Sequence, residues 1–111
     1  MWLATQHGFY SIVRKGEREF HIRARIRRDL VNLLDVTGQE AEILEWPRAD
    51  YHYRVIVDHL DFLNIMAGLA VALDYPNFKG RIAETFDQRE KLPAFQEIWQ
   101  LMARLQEEPP S

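Results

Sequence analysis

Hydrophobic and polar positions alternate most cleanly from Glu19 to Ile26, where Phe20, Ile22, Ala24 and Ile26 interleave with His21, Arg23 and Arg25. A period of two sends one set inward and the other outward, so the segment predicts a half-buried strand. Phe9 to Arg14 has strand composition and predicts its hairpin partner. Between them Lys15-Gly16-Glu17-Arg18 reads as the loop, with Gly16 able to take a positive φ. A loop of that length sets Arg14 opposite Glu19, Val13 opposite Phe20, Ser11 opposite Ile22 and Phe9 opposite Ala24. Phe9, Ser11 and Val13 then join Phe20, Ile22 and Ala24 as one buried face. Trp2 to Gln6 alternates weakly and predicts a further short strand, interrupted at His7-Gly8.

A second hairpin follows the same logic. Ala41 to Trp46 and Tyr51 to Val57 read as strands around a Pro47–Asp50 turn. Tyr51, Tyr53, Val55 and Val57 share one face of the latter; His52, Arg54 and Ile56 share the other. Elsewhere the period is helical. Arg27 to Val36 places Leu30, Leu33 and Leu34 on one side and ends at Gly38, a C-terminal cap. His59 to Tyr75 is apolar almost all round, with Asp58 as N-cap and Pro76 as stop. Such a helix calls for cover on more than one side, from the strands and from the C-terminal helices. Asn77 to Phe86 predicts a weaker helix and Asp87 to Lys91 a charged connector. Pro93 opens a last helix whose stripe is Phe95, Ile98, Trp99, Met102 and Leu105. Glu107 to Ser111 reads as a frayed tail.

The expected fold is therefore α+β in the order ββαββα: a four-stranded antiparallel sheet with helices on one face and two extra C-terminal helices. Moving the first strand to the end gives a ferredoxin-like order, so a circularly permuted ferredoxin-like sheet is expected. The 111 residues read as one domain, with a strand-rich half over 1–57 and a helical half over 58–106.

Composition narrows the chemistry. With 47% apolar residues the chain is not a disordered one. It has no cysteine, which removes disulfides, thiolate zinc sites and a cysteine nucleophile. The apolar run Ile65 to Leu73 is too short to span a bilayer. The opening MWLATQHGF has neither a basic n-region nor an h-region. A cytosolic protein with no membrane partner is expected. A net charge of -3 excludes a bulk polyanion binder and leaves room for local basic surface.

That local surface is the face of the sheet turned away from the core. It is expected to carry Tyr10, Arg14, His21, Arg23, Arg25, His52 and Arg54, with Glu19 and Glu45 as its main acids, Glu45 opposite His52. Guanidinium groups grip phosphate in bidentate fashion, and a Tyr ring offers a stacking surface. Open antiparallel faces are also ordinarily polar, with cross-strand Arg–Glu and His–Glu pairs, so a merely solvated or partner-covered face stands beside the binding one. Arg27 and Arg28 fall at a helix start, where cations oppose the dipole and hint at an anion nearby. His7, His21, His52 and His59 show no metal-ligand spacing. Ser11 lies on the expected inward face, which argues against a serine triad. His7, beside Gly8 and near Thr5, is the residue an enzyme would use. Trp2, Trp46 and Trp99, with Phe62, Phe78 and Phe86, read as core or interface fillers.

The stretches MWLATQHGFYSIV, FHIRARIRRDLVNLL and LDYPNFKGRIAETFDQREK resemble, as a set, a family of small uncharacterised bacterial proteins. The resemblance implies a bacterial, cytosolic, free-standing domain and carries no activity or site residue with it. The expectation is a non-enzymatic binding module without cofactor or metal. It presents Tyr10, His21, Arg23, Arg25, His52 and Arg54 to a phosphate-bearing ligand, a nucleotide or single-stranded nucleic acid. The alternative is a homo-oligomeric interaction domain with no small ligand, a homodimer formed through the last helix or a sheet edge.

Overall fold

Alternation over the second strand segment builds the centre of an antiparallel sheet. In the computed structural model residues 1–107 are described; of the expected tail, 108–111 lie outside the described residues. The chain divides into two compact units, Met1–Asp74 and Tyr75–Ser111. The first holds five strands: β1 (Trp2–Ala4), β2 (Phe9–Gly16), β3 (Glu19–Ala24), β4 (Leu44–Glu45) and β5 (Tyr53–Val57). All neighbours are antiparallel, in the order β1-β2-β3-β5-β4. The stub strands β1 and β4 thus form the two edges.

Two helices of this unit, α1 (Arg27–Thr37) and α2 (His59–Val71), cover one face of the sheet. Ile12, Ile22 and Val55 face one another across β2, β3 and β5. Leu30 and Leu33 of α1 and Ile65 of α2 close over them, all buried. Phe20 and Phe62 stack almost parallel, with centroids 4.6 Å apart and planes at 5°. Gly38 ends α1 with a φ of 67°, the left-handed cap its sequence predicts. Asp58 caps α2, its carboxylate accepting the Asp61 N–H at 2.8 Å.

The β2–β3 register differs from the expected one by one residue. The strand β2 continues through Lys15 to Gly16, leaving Glu17-Arg18 as the turn. Arg14 therefore pairs with Phe20, Val13 with His21, Ile12 with Ile22 and Ser11 with Arg23, with an irregularity between Arg14 and Gly16. A slip of one exchanges the faces of a strand, so Tyr10 and Ile12 enter the core while Ser11 and Val13 face outward. The exchange buries two large side chains in place of a serine and gives the Tyr10 hydroxyl a buried acceptor, the Asp29 carbonyl at 2.7 Å. Arg14 closes the turn by donating from Nε to the Gly16 carbonyl and from Nη2 to that of Glu17.

The second hairpin is shorter than expected. Only Leu44 and Glu45 pair, and β5 begins at Tyr53, leaving 46–52 as an irregular connection. The long apolar helix ends at Val71; within its own unit the sheet and α1 cover one side of it, and Leu60, Leu63 and Val71 are exposed. The sheet and α1 need a single face of it.

In the second unit, α3 (Phe78–Glu84) is capped by Asn77, whose side chain accepts the Gly80 N–H at 2.9 Å. A 3-10 turn at Arg89–Lys91 leads into α4 (Leu92–Ala103), with Pro93 in its first turn, and a second 3-10 turn spans Arg104–Gln106. Ile82 and Phe95 are buried, and Phe78 meets Phe95 edge-on at 5.0 Å. Among the described residues no helix is long and apolar enough to cross a membrane.

Candidate functional site

The sheet face opposite the helices is set by register. Ser11, Arg23, Arg54 and Leu44 form one row across β2, β3, β5 and β4, and Val13, His21 and Ile56 form the next. Arg23 and Arg54 thus stand side by side. Arg23 donates from Nη2 to Ser11 Oγ at 2.6 Å and from Nε to the Ser11 carbonyl at 3.3 Å. Arg54 is only 4% exposed. Its Nη1 lies 3.1 Å from His21 Nδ1, and its Nε is buried without a hydrogen-bond partner. Burial, and then the neighbouring charge of Arg23, pull the Arg54 pKa below the ordinary arginine value.

A guanidinium can only donate, so His21 Nδ1 must accept from Arg54 and the ring proton sits on Nε2. That nitrogen is 3.3 Å from Glu19 Oε2, within ion-pair distance but out of hydrogen-bonding alignment.

Aromatic rings, and not carboxylates, cover the cations. The Arg54 guanidinium lies 3.9 Å from the centroid of Trp46. Tyr51 takes both Arg23, at 4.9 Å, and Arg25, at 4.4 Å. Arg25 also donates from Nη1 to the Asp50 carbonyl at 3.0 Å. Among the described residues none of the three arginines forms an ion pair with a carboxylate. The irregular connection between β4 and β5 supplies both rings, so its departure from strand geometry is what lets it fold over the arginines.

The expected site residues are therefore brought together in part. His21, Arg23, Arg25 and Arg54 share one neighbourhood. Tyr10 is fully buried on the core face, a consequence of the one-residue slip, and offers no stacking surface. His52 is exposed in a bend ahead of β5, its ring beside Tyr53, away from the cluster. Glu45 pairs with Tyr53 and not His52, and Glu19 pairs with Gly16 and not Arg14, while Glu19 keeps the His21 face. Ser11 faces outward and is occupied by Arg23. Trp46 and Tyr51 are the residues that strand reasoning misses. Their signal is the aromatic at each end of a proline-containing turn next to arginine-bearing strands.

The His7 segment is a tight turn. Thr5 Oγ1 accepts the N–H groups of His7 and Gly8 at 3.0 and 3.1 Å and donates to the Gly8 carbonyl at 3.0 Å. Asn32 Nδ2 donates to the His7 carbonyl at 2.9 Å. Asp29, buried in the first turn of α1, accepts the Phe9 N–H at 3.2 Å. It sets negative charge at the helix start, which offsets the exposed Arg27 and Arg28 before it. Among the described residues no three metal-ligating side chains gather. Comparison with family models, with curated proteins and with solved structures finds no match to this chain.

Proposed function

We propose that the chain is a non-enzymatic binding module whose arginine-bearing sheet face takes a phosphate-bearing ligand, a nucleotide or single-stranded nucleic acid. The observation that carries the reading is Arg54: a buried guanidinium beside a second one, among the described residues without a carboxylate partner and with Nε left unsatisfied. Such an arrangement is electrostatically costly until an anion reaches it. Arg23 and Arg25, half-buried and exposed, are the groups such an anion meets first. Trp46, 42% exposed with Arg54 against one face, takes over the stacking role first given to Tyr10. We read the sheet as the permuted ferredoxin-like order, which the succession β2-β3-β5-β4 supports.

The test is binding of labelled single-stranded RNA and DNA, and of nucleoside monophosphates, at low and moderate salt. Up to three phosphate contacts predict a log–log salt slope of about -2 for a single strand. The variant Arg23→Ala/Arg25→Ala, which spares the buried Arg54, should keep its circular dichroism and lose binding. Wild-type protein that binds none of these probes at either salt would overturn the reading.

A further inference from the structure

The last helix leaves an apolar stripe in water. Ile98, Leu101, Met102 and Leu105 are 41%, 56%, 58% and 75% exposed. At 3.6 residues per turn Ile98, Leu101 and Met102 of α4 fall within an arc of roughly 100°, and the 3-10 turn that continues the helix, at three residues per turn, keeps Leu105 on the same side. The adjoining arc of α4 is taken within its own unit: Phe95 packs on Phe78, and Lys79 Nζ lies 4.5 Å from the Trp99 centroid.

We propose that this stripe is the docking surface for α4 of a second copy of the chain, in antiparallel orientation. Two observations select that occupant. The first is spacing. Read from either end, the stripe has the same intervals, so a reversed copy presents Leu105 to Ile98 and Met102 to Leu101. A surface that matches itself under a two-fold axis is what an isologous dimer requires. The second is charge. Glu97 and Arg104 are separated by seven residues, which returns them to one flank of the stripe. Reversing the partner brings each Glu97 towards the partner's Arg104, on both sides of the axis. Parallel pairing leaves these residues apart, since a flank then meets the opposite flank of its partner. Among the described residues neither Glu97 nor Arg104 has an ion-pair partner in its own chain. The contact lies in the second unit and is independent of the arginine-bearing face.

The absence of cysteine in the chain makes the test direct. Sedimentation equilibrium of the full chain should show a concentration-dependent dimer. Leu101→Cys places a thiol next to the two-fold axis and should cross-link to itself on mild oxidation. Leu105→Cys should not, because antiparallel pairing separates those positions by about 10 Å along the helix, too far for a disulfide. The variant Leu101→Glu should weaken association at least tenfold with its circular dichroism unchanged. The substitution Glu97→Arg should weaken it several-fold, and Glu97→Arg/Arg104→Glu should recover it. A monomer at every concentration, equal cross-linking at the two positions, or a dimer insensitive to Leu101→Glu would each overturn the proposal.

Discussion

Folding takes the charge of Arg54 out of water and gives it two π-faced or neutral neighbours, Trp46 and His21. Its pKa is lowered in the folded chain, so the unfolded chain holds that proton more tightly. The resulting destabilisation is present in full at every pH below the folded value and would lift only above it, outside any practical range. An anion, and not a change of pH, is the effective relief. Phosphate at matched ionic strength should therefore raise the melting temperature of the wild type and leave Arg54→Met unmoved. Without phosphate, Arg54→Met should cost no more than about 1 kcal/mol, because it removes a desolvated charge together with a cation–π contact of similar size. Equal phosphate responses in calorimetry would show that the anion acts elsewhere. Gly8 makes a separate case. A Cβ there would lie 2.5 Å from Asp29 Cβ and 2.7 Å from the Tyr10 hydroxyl. Gly8→Ala must displace α1 or break the Tyr10–Asp29 hydrogen bond, and should cost about 2–3 kcal/mol in urea titration. His21, Arg23, Arg25 and Arg54 were legible as a group because strict alternation reports a side, whatever the neighbouring strand does. Tyr10 was not, because its side depends on where a turn closes, and both loop lengths leave a plausible apolar set.

At the level of elements, the crossing of α1 and α2 depends on a missing side chain. A Cβ on Gly68 would meet Thr37 Cγ2 at 2.9 Å and its Cα at 3.1 Å. Thr37 cannot rotate away freely, since its hydroxyl donates to the Leu33 carbonyl at 2.7 Å. The variant Gly68→Ala gains about 1 kcal/mol of helix propensity but loses more to that contact, for a net destabilisation of about 1 kcal/mol. Adding Thr37→Ser, which deletes Cγ2 and keeps the hydroxyl, should recover most of it. A double variant no more stable than Gly68→Ala would show that backbone approach, and not the methyl group, sets the distance. Helix positions and caps were readable in advance, because Asp58 and Gly38 act within one turn of chain. The extent of the second hairpin was not. Its sequence has strand composition as far as Trp46, and the Trp46 N–H still reaches the His52 carbonyl at 2.7 Å, but regular pairing stops at Glu45, and beyond it the rings of Trp46 and Tyr51 turn to the cations they cover. Tertiary contact overrides local preference there.

For the whole molecule, the division at Asp74 has an energetic meaning. The core of Tyr10, Ile12, Ile22, Leu30, Leu33, Val55 and Ile65 lies wholly in the first unit. Gln6 Nε2 ties down that unit's end by donating to the Ala72 carbonyl at 3.0 Å and to Asp74 Oδ1 at 3.1 Å. A chain of residues 1–74 should fold alone, with one cooperative urea transition and dispersed amide resonances. Residues 75–107 alone should not, because so short a segment buries too small a share of its surface. Loss of cooperativity in the longer fragment would mean that its stability depends on the C-terminal helices. The sheet's borders have a further effect on how the protein keeps in solution. Each outer ladder is a stub, three residues at Trp2–Ala4 and two at Leu44–Glu45. A growing fibril recruits monomers by extending an open row of amide and carbonyl groups, and rows this brief template almost nothing. Concentrated, folded protein should accordingly resist conversion to amyloid, and thioflavin-positive material should appear only under conditions that first unfold the sheet.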